Sequence, residues 1–389
     1  MASSKSIDRA FVLDLLKEFV ATNSVNPTLG RGPGESTLSD LVFNRLTGIG
    51  GLEVRKQPVA DGRSNVIAIL TGSGSGRSLM LNGHLDTVGV DGMTVEPFKP
   101  LLENGRLHGR GACDMKGALA AMIGTLKSLV DSRVRLRGDL MFSAVVDEEY
   151  KSIGVNKLVE EYRADAAVVG EPTQMRVATA HKGFVWIEIE TKGKAAHGSV
   201  PEKGVDAIVH AAKVVSGVEK LKEELERRVH RLLGAPKIHT STIAGGTDWS
   251  IVPERCLLRL ERRTLPGESA ASVMGEIEGV LRTIKEEDAD FNATARSPYD
   301  VPPLETQRDE KIVQLLQQTL VEVTGKQAPI IGLPYWTDGA VLAELASIPT
   351  CVFGPGDIGV AHSGDEYISV EDVLDSAEIY RSIAESFCA

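Results

Sequence analysis

Residues 79–87, LMLNGHLDT, drive an apolar run into His84 and Asp86. This is the pattern of a buried strand whose end presents an imidazole. An imidazole that binds a metal usually donates its other ring N–H to a carboxylate or carbonyl, which fixes its tautomer. Side chains two apart in a strand share a face, so Asp86 has the spacing to orient His84. Alone, a His-x-Asp pair reads equally as an ordinary surface or hydrogen-bonded pair. It gains weight because the arrangement recurs. Residues 109–117, GRGACDMKG, place Asp114 in a glycine-rich turn ahead of 117–130, where Ala118, Ala121, Met122 and Leu126 recur at helical spacing. The apolar run 140–146 ends in Asp147, Glu148 and Glu149, and 166–169 ends in Gly170, Glu171 and Pro172. The run 350–353 is followed by Gly354, Pro355, Gly356 and then Ala361, His362. Short apolar runs alternating with amphipathic stretches predict an α/β fold. In open α/β sheets ligands collect beyond the carboxyl ends of the strands, so these separate segments can converge.

Two histidines and three carboxylates exceed what one tetrahedral zinc needs. They suit two ions sharing a bridging carboxylate, about 3.5–4 Å apart. Of the adjacent Glu148 and Glu149, one can then bind metal while the other handles a water proton.

From about Ala180 the pattern changes. Residues 184–190 alternate apolar and polar as a half-exposed strand, and 205–229 reads as a long charged helix. Two strands (238–243 and 255–263), a helix (270–285) and a strand near 291–295 complete a small α+β unit. The α/β pattern resumes near Val301 and includes a helix at 309–324.

Length and composition agree. At 389 residues the chain exceeds the size at which one core keeps growing. Hydrophobic residues at 42% and charged residues at 25% fall in the soluble globular range. A net charge of −11 disfavours a nucleic-acid partner, which requires a clustered positive surface. Cys113, Cys256, Cys351 and Cys388 are widely spaced and form neither a zinc knuckle nor a disulfide framework. The N-terminal residues MASSKSIDRA precede no apolar signal region, and no stretch approaches a membrane span. A cytoplasmic protein is expected.

The order His84-Leu85-Asp86, Gly111-Ala112-Cys113-Asp114-Met115-Lys116-Gly117, Asp147-Glu148-Glu149, Gly170-Glu171-Pro172-Thr173 and Ala361-His362 resembles the M20 metallopeptidase family. It is closest in style to the acetylornithine deacetylase and succinyl-diaminopimelate desuccinylase branch. The resemblance runs from Ser24-Val25-Asn26-Pro27 to Glu366-Tyr367. It implies a zinc-exopeptidase-like catalytic domain, a mixed sheet flanked by helices, formed by residues 1–179 and 298–389. Residues 180–297 would be an inserted α+β lid and dimerisation domain in a homodimer.

The resemblance also implies roles. His84 and Glu171 would hold one zinc, Glu149 and His362 the other, and Asp114 would bridge them. Cobalt or manganese could replace zinc, because such donors are weakly selective. Asp86 would orient His84, Glu148 would be the general base, and the Asp114–Met115 peptide would be cis. His197 would stabilise the oxyanion from a partner subunit, and Arg263 would anchor a substrate carboxylate with its bidentate fork. Gly245 and Gly246 would let backbone approach the ligand. Ser250 stands where relatives often carry asparagine, which puts the substrate-end contacts in doubt. Trp249 and the Tyr335–Asp338 stretch are pocket-wall candidates, with no catalytic role given to Asp338. The expected activity is hydrolysis of an N-acyl amino acid or similar small amide. A dipeptidase or carboxypeptidase on the same site is the nearer alternative, and a non-catalytic metal-dependent amino-acid binding protein the remoter one.

Overall fold

The computed structural model describes residues 7–389, so the first six residues of the N-terminal stretch read above lie outside it. The chain divides into two compact units. Among the described residues, the first comprises 7–179, 306–331 and 337–389, and the second 180–305 and 332–336. The expected return at residue 298 falls inside the strand Asn292–Val301, and the first unit resumes at Thr306.

In the first unit, strands Glu53–Ala60, Arg63–Leu70, Leu140–Val145, Leu79–His84, Ala166–Val169 and Thr350–Val352 lie side by side in that order. The last four run parallel, while the first two pair antiparallel and join Leu140–Val145 antiparallel. Every residue of the four parallel strands is buried, which explains why their sequences read as continuous apolar runs rather than alternating ones. Their carboxyl ends all open on one edge. His84 ends one strand, Asp147–Glu149 follow the next, Gly170–Glu171 follow the third, and the segment to His362 follows the fourth.

The helix Gly117–Asp131 is buried nearly all round its circumference, as a helix packed between layers must be. A Cβ on Gly124 would stand 2.3 Å from Val12 Cγ2, so glycine lets the helix Arg9–Ala21 lie against it. Val370–Phe387 packs on the same helix, capped by Ser369, whose side chain accepts from Asp372 N.

In the second unit, strands Lys237–Gly245, Arg255–Thr264, Gly183–Lys192 and Asn292–Val301 form an antiparallel sheet in that order. Gly183–Lys192 alternates between buried and half-buried residues up to its exposed last residue, Lys192. Its buried face carries Val185, Ile187 and Ile189. These join Leu258, Leu260, Val214, Val218 and Ile277 in a core with helices Ala207–Leu225 and Ala270–Glu287. This is the mixed α/β and α+β composition expected.

Candidate metal centre

His84 leaves its strand end fully buried. Its Nε2 lies 2.9 Å from Asp114 Oδ1 and 3.4 Å from Glu171 Oε1. On the far side of Asp114, Oδ2 lies 3.2 Å from His362 Nε2, which is also 3.1 Å from Glu149 Oε1. Asp114 therefore presents one oxygen to each imidazole. The five residues read as ligands come together, with Glu148 beside His84 and Glu171. The Asp114–Met115 peptide is cis.

The donor set fits divalent cations. Three carboxylates and two imidazoles form the mixed oxygen and nitrogen shell that zinc accepts. Glu171 Oε1 is buried without a hydrogen-bond partner, an orphan that a cation would satisfy. The electrostatics carry the same message. Burial, reinforced by Asp114, pushes the Glu171 carboxyl well above its usual range, and burial with the nearby Glu171 does the same to Glu148. Burial alone would also raise Asp114, but hydrogen bonds from His362 and His84 outweigh it and hold its carboxyl well below the usual range. Burial opposes the charged form of His362, yet Asp114 and Glu149 push it up to about 11. The crowded carboxylates favour positive charge in the site.

Asp86 meets His84 through its main chain rather than its side chain. His84 Nδ1 donates to the main-chain oxygen of Asp86 at 2.9 Å, whereas the Asp86 carboxylate is 3.6 Å away. The tautomer is set by the carbonyl. The carboxylate instead accepts from Glu148 N at 3.0 Å, Glu149 N at 3.2 Å and Asn26 Nδ2 at 2.8 Å. It pins the turn that carries both glutamates. Burial is the main reason its carboxyl rises to about 7.

Behind it lies a layer that the sequence reading missed. Asn26 bridges Asp86 and Asp147, donating to Asp147 Oδ1 at 2.9 Å. Arg63 donates to the same oxygen at 2.8 Å and pairs with the buried Glu35, whose carboxylate accepts from Asp147 N at 3.2 Å. Asp147 needs this support because its backbone is left-handed, with φ of 70°. Asp338, given no role above, is fully buried, and burial raises its carboxyl to about 8. Cys113 is buried filler as expected, its thiol donating to Asp357 O at 3.3 Å, and all four cysteines are free and buried.

The remaining candidates belong to the second unit. His197 is exposed, with Nδ1 2.8 Å from Ser199 Oγ. It pairs with Ile251 in a two-residue ladder in which Gly198 N donates to Ser250 O. Arg263 donates from Nε to Glu261 at 2.7 Å and lies over the Phe184 ring at 5.1 Å. Gly245, expected to let backbone approach a ligand, has a local reason to be glycine as well. Its Cβ would meet Cys256 Cβ at 2.7 Å on the neighbouring strand, so close strand packing demands glycine. Gly246 has φ of 77° and turns the chain. Trp249 is fully exposed.

Residues 80–386 match the model of peptidase family M20/M25/M40. The chain is 31% identical over 332 residues to an acetylornithine deacetylase of Myxococcus xanthus, covering 83% of this chain and 84% of that one. It is 30% identical over 385 residues to the acetylornithine deacetylase of Proteus mirabilis, covering 97% and 96%. Its fold is similar to the crystal structure of aminopeptidase PepT from Bacillus cereus, with a TM-score of 0.82, 22% identity and coverage of 98% and 100%. A family match over most of the sequence and relatives aligned along nearly its whole length agree with the residues gathered around Asp114: the chain belongs to peptidase family M20/M25/M40 and is a metal-dependent amidohydrolase.

Proposed function

We propose that the chain hydrolyses the amide bond of small N-acyl amino acids, in the manner of the acetylornithine deacetylase and succinyl-diaminopimelate desuccinylase branch. The observation that carries the reading is Asp114, whose two oxygens stand 2.9 Å and 3.2 Å from imidazoles delivered by segments almost 280 residues apart, His84 and His362. In this reading His84, Glu171 and Asp114 hold one divalent cation, and Asp114, Glu149 and His362 hold a second, zinc by preference and cobalt or manganese by substitution. Bound there, the cations would supply Lewis acidity that polarises the amide carbonyl and makes water more acidic.

The protein's own groups do the rest. His84 donates from Nδ1 to the Asp86 carbonyl, which leaves Nε2, on the side of Asp114 and Glu171, as the nitrogen that would give up its proton to hold a cation. Glu148 is the base. Its carboxylate, beside His84 and Glu171, would take a proton from the attacking water and return it to the leaving amine. Asp86, by accepting from the N–H groups of Glu148 and Glu149, keeps the base and the ligand in separate stations. His197 of a second copy would stabilise the oxyanion, which makes the homodimer part of the proposal, and Arg263 would receive the substrate carboxylate through its Nη atoms while Glu261 holds its Nε. Four free buried thiols suit a reducing, cytoplasmic setting.

The test is a substrate panel on protein of measured metal content: N-acetylornithine, N-succinyl-diaminopimelate, other N-acyl amino acids and dipeptides. Preference for an N-acyl amino acid supports the proposal. Preference for dipeptides converts it to the peptidase reading, and tight ligand binding without turnover in fully metallated protein rejects both in favour of a binding protein.

A further inference from the structure

Glu366 lies four residues beyond His362, just ahead of the strand Tyr367–Ser369. Its side chain is fully buried, and its carboxylate accepts four hydrogen bonds. Oε1 accepts from Cys113 N at 2.9 Å and Asp114 N at 3.1 Å, while Oε2 accepts from Gly111 N at 3.1 Å and Arg110 Nη1 at 2.6 Å. Its main-chain oxygen accepts from Gly109 N at 3.0 Å. Arg110 is itself held by Gly89 O at 3.0 Å, so the guanidinium that balances the buried charge is fixed in place.

Three of the four donors are backbone amides of the turn from which the Asp114 side chain extends. Glu366 therefore grips the Asp114 turn directly, and it does so from the segment that carries His362. One carboxylate ties together two of the segments whose side chains must meet at 3.2 Å. Of the other supports of the turn, Lys116 Nζ donates to Thr22 O, and Cys113 Sγ donates to Asp357 O, a single weak thiol bond to the same His362 segment.

We propose that Glu366 is a positioning residue that sets the register of Asp114 against His362 and so fixes the spacing of the two cation stations. The inference rests on the reading of Asp114 and His362 as metal ligands. It requires the carboxylate and not merely a polar group of that size. Four converging donors need acceptor pairs on both oxygens, whereas a glutamine would turn its own NH₂ towards two of them.

The experiment titrates full-length, metal-stripped protein with Zn²⁺ against a competing chelator, and with Co²⁺ followed by its visible absorption, which reports ligand geometry. Glu366→Gln is compared with wild type and with Thr125→Val, which breaks a buried hydrogen bond to Ala377 O, 11 residues beyond Asp114 and 15 beyond His362 along the chain. Wild type is expected to take two cations. Glu366→Gln should bind the second at least tenfold more weakly, with an altered Co²⁺ spectrum, while Thr125→Val melts earlier but keeps wild-type affinity. Glu366→Asp retains the charge but withdraws it by one methylene, and should weaken the same station, which covers the case of a glutamine variant that does not fold. Wild type taking two cations while Glu366→Gln or Glu366→Asp binds both within twofold of it overturns the proposal alone. So does a Thr125→Val protein that loses affinity equally, since the loss would then track stability. Wild type taking fewer than two cations overturns the site reading and the proposal with it.

Discussion

Asn26→Ala tests whether the buried layer behind the glutamates has the importance given to it. Asn26 is fully buried and its Nδ2 donates to two carboxylates, Asp86 at 2.8 Å and Asp147 at 2.9 Å, while its Oδ1 accepts from Thr28 N at 3.0 Å. A hydrogen bond to a charged group contributes about 1.5–3 kcal/mol. Losing two gives about 3–6 kcal/mol, and the lost cap on Pro27–Gly30 adds about 1 kcal/mol. Water entering the vacated polar space recovers part of this, so a net loss of about 3 kcal/mol is expected. That is a large fraction of the roughly 5–15 kcal/mol that holds a domain folded. Activity should fall as well. The freed Asp86 carboxylate no longer holds Glu148 N and Glu149 N to one geometry, and a misplacement on the order of 1 Å costs about a hundredfold in rate. Urea denaturation followed by circular dichroism gives the first quantity, and kcat/KM on the best substrate of the panel gives the second. A stability loss under about 1 kcal/mol together with unchanged kcat/KM would refute the reasoning.

Glu148→Gln should retain both cations and lose about 10²–10⁴-fold in kcat, measured alongside metal analysis; near-normal turnover removes Glu148 as the base. Because Glu171 and Asp114 hold the His84 proton and Asp114 and Glu149 raise His362 to about 11, the bare chain keeps both imidazoles protonated at pH 7. Metal uptake must therefore release protons and strengthen with rising pH up to that range; calorimetry in buffers of different ionisation heat checks this, and an uptake without proton release would contradict it. Asp165 has its carboxyl lowered by hydrogen bonds from Ser78 N at 2.7 Å and Ser78 Oγ at 2.8 Å. A depressed carboxyl contributes stability above its unfolded value, and this is lost as pH falls through the folded value. Asp165→Asn should thus be less stable than wild type at pH 7, by no more than about 1 kcal/mol for so exposed a group, with the gap closing only below about pH 4 in parallel denaturation curves.

The parts legible in the sequence are those written in contiguous residues. Runs such as 79–84 and 140–145 are buried on both faces and so appear as unbroken apolar words, and the acidic or imidazole residue after each is a strand end. The largely buried helix from Gly117 announced itself through its small and apolar residues. What stayed hidden depends on partners far apart in the chain. Nothing near Asn26, Glu35 or Arg63 reveals that they meet Asp86 and Asp147, at separations of 60 to 121 residues. The two-residue spacing of His84 and Asp86 correctly suggested a pair. It could not tell the carbonyl of Asp86, which meets the imidazole, from the carboxylate, which turns to the glutamate amides. Gly245 drew a ligand reading because the clash it avoids is with Cys256 on the next strand, which only the register discloses. The helix Val370–Phe387 was a plain omission: Ser369 with Asp372 three residues on is a legible cap.

The most direct test of the central claim is the metal content of wild type and of Asp114→Asn, measured by mass spectrometry on protein of known concentration after equilibration with Zn²⁺ and removal of excess. Asp114 gives one oxygen to each imidazole, so wild type should hold two cations per chain, and the amide, which can offer only one oxygen, should hold at most one. A wild-type chain that holds a single cation, or an Asp114→Asn chain that still holds two with undiminished affinity, would contradict the account.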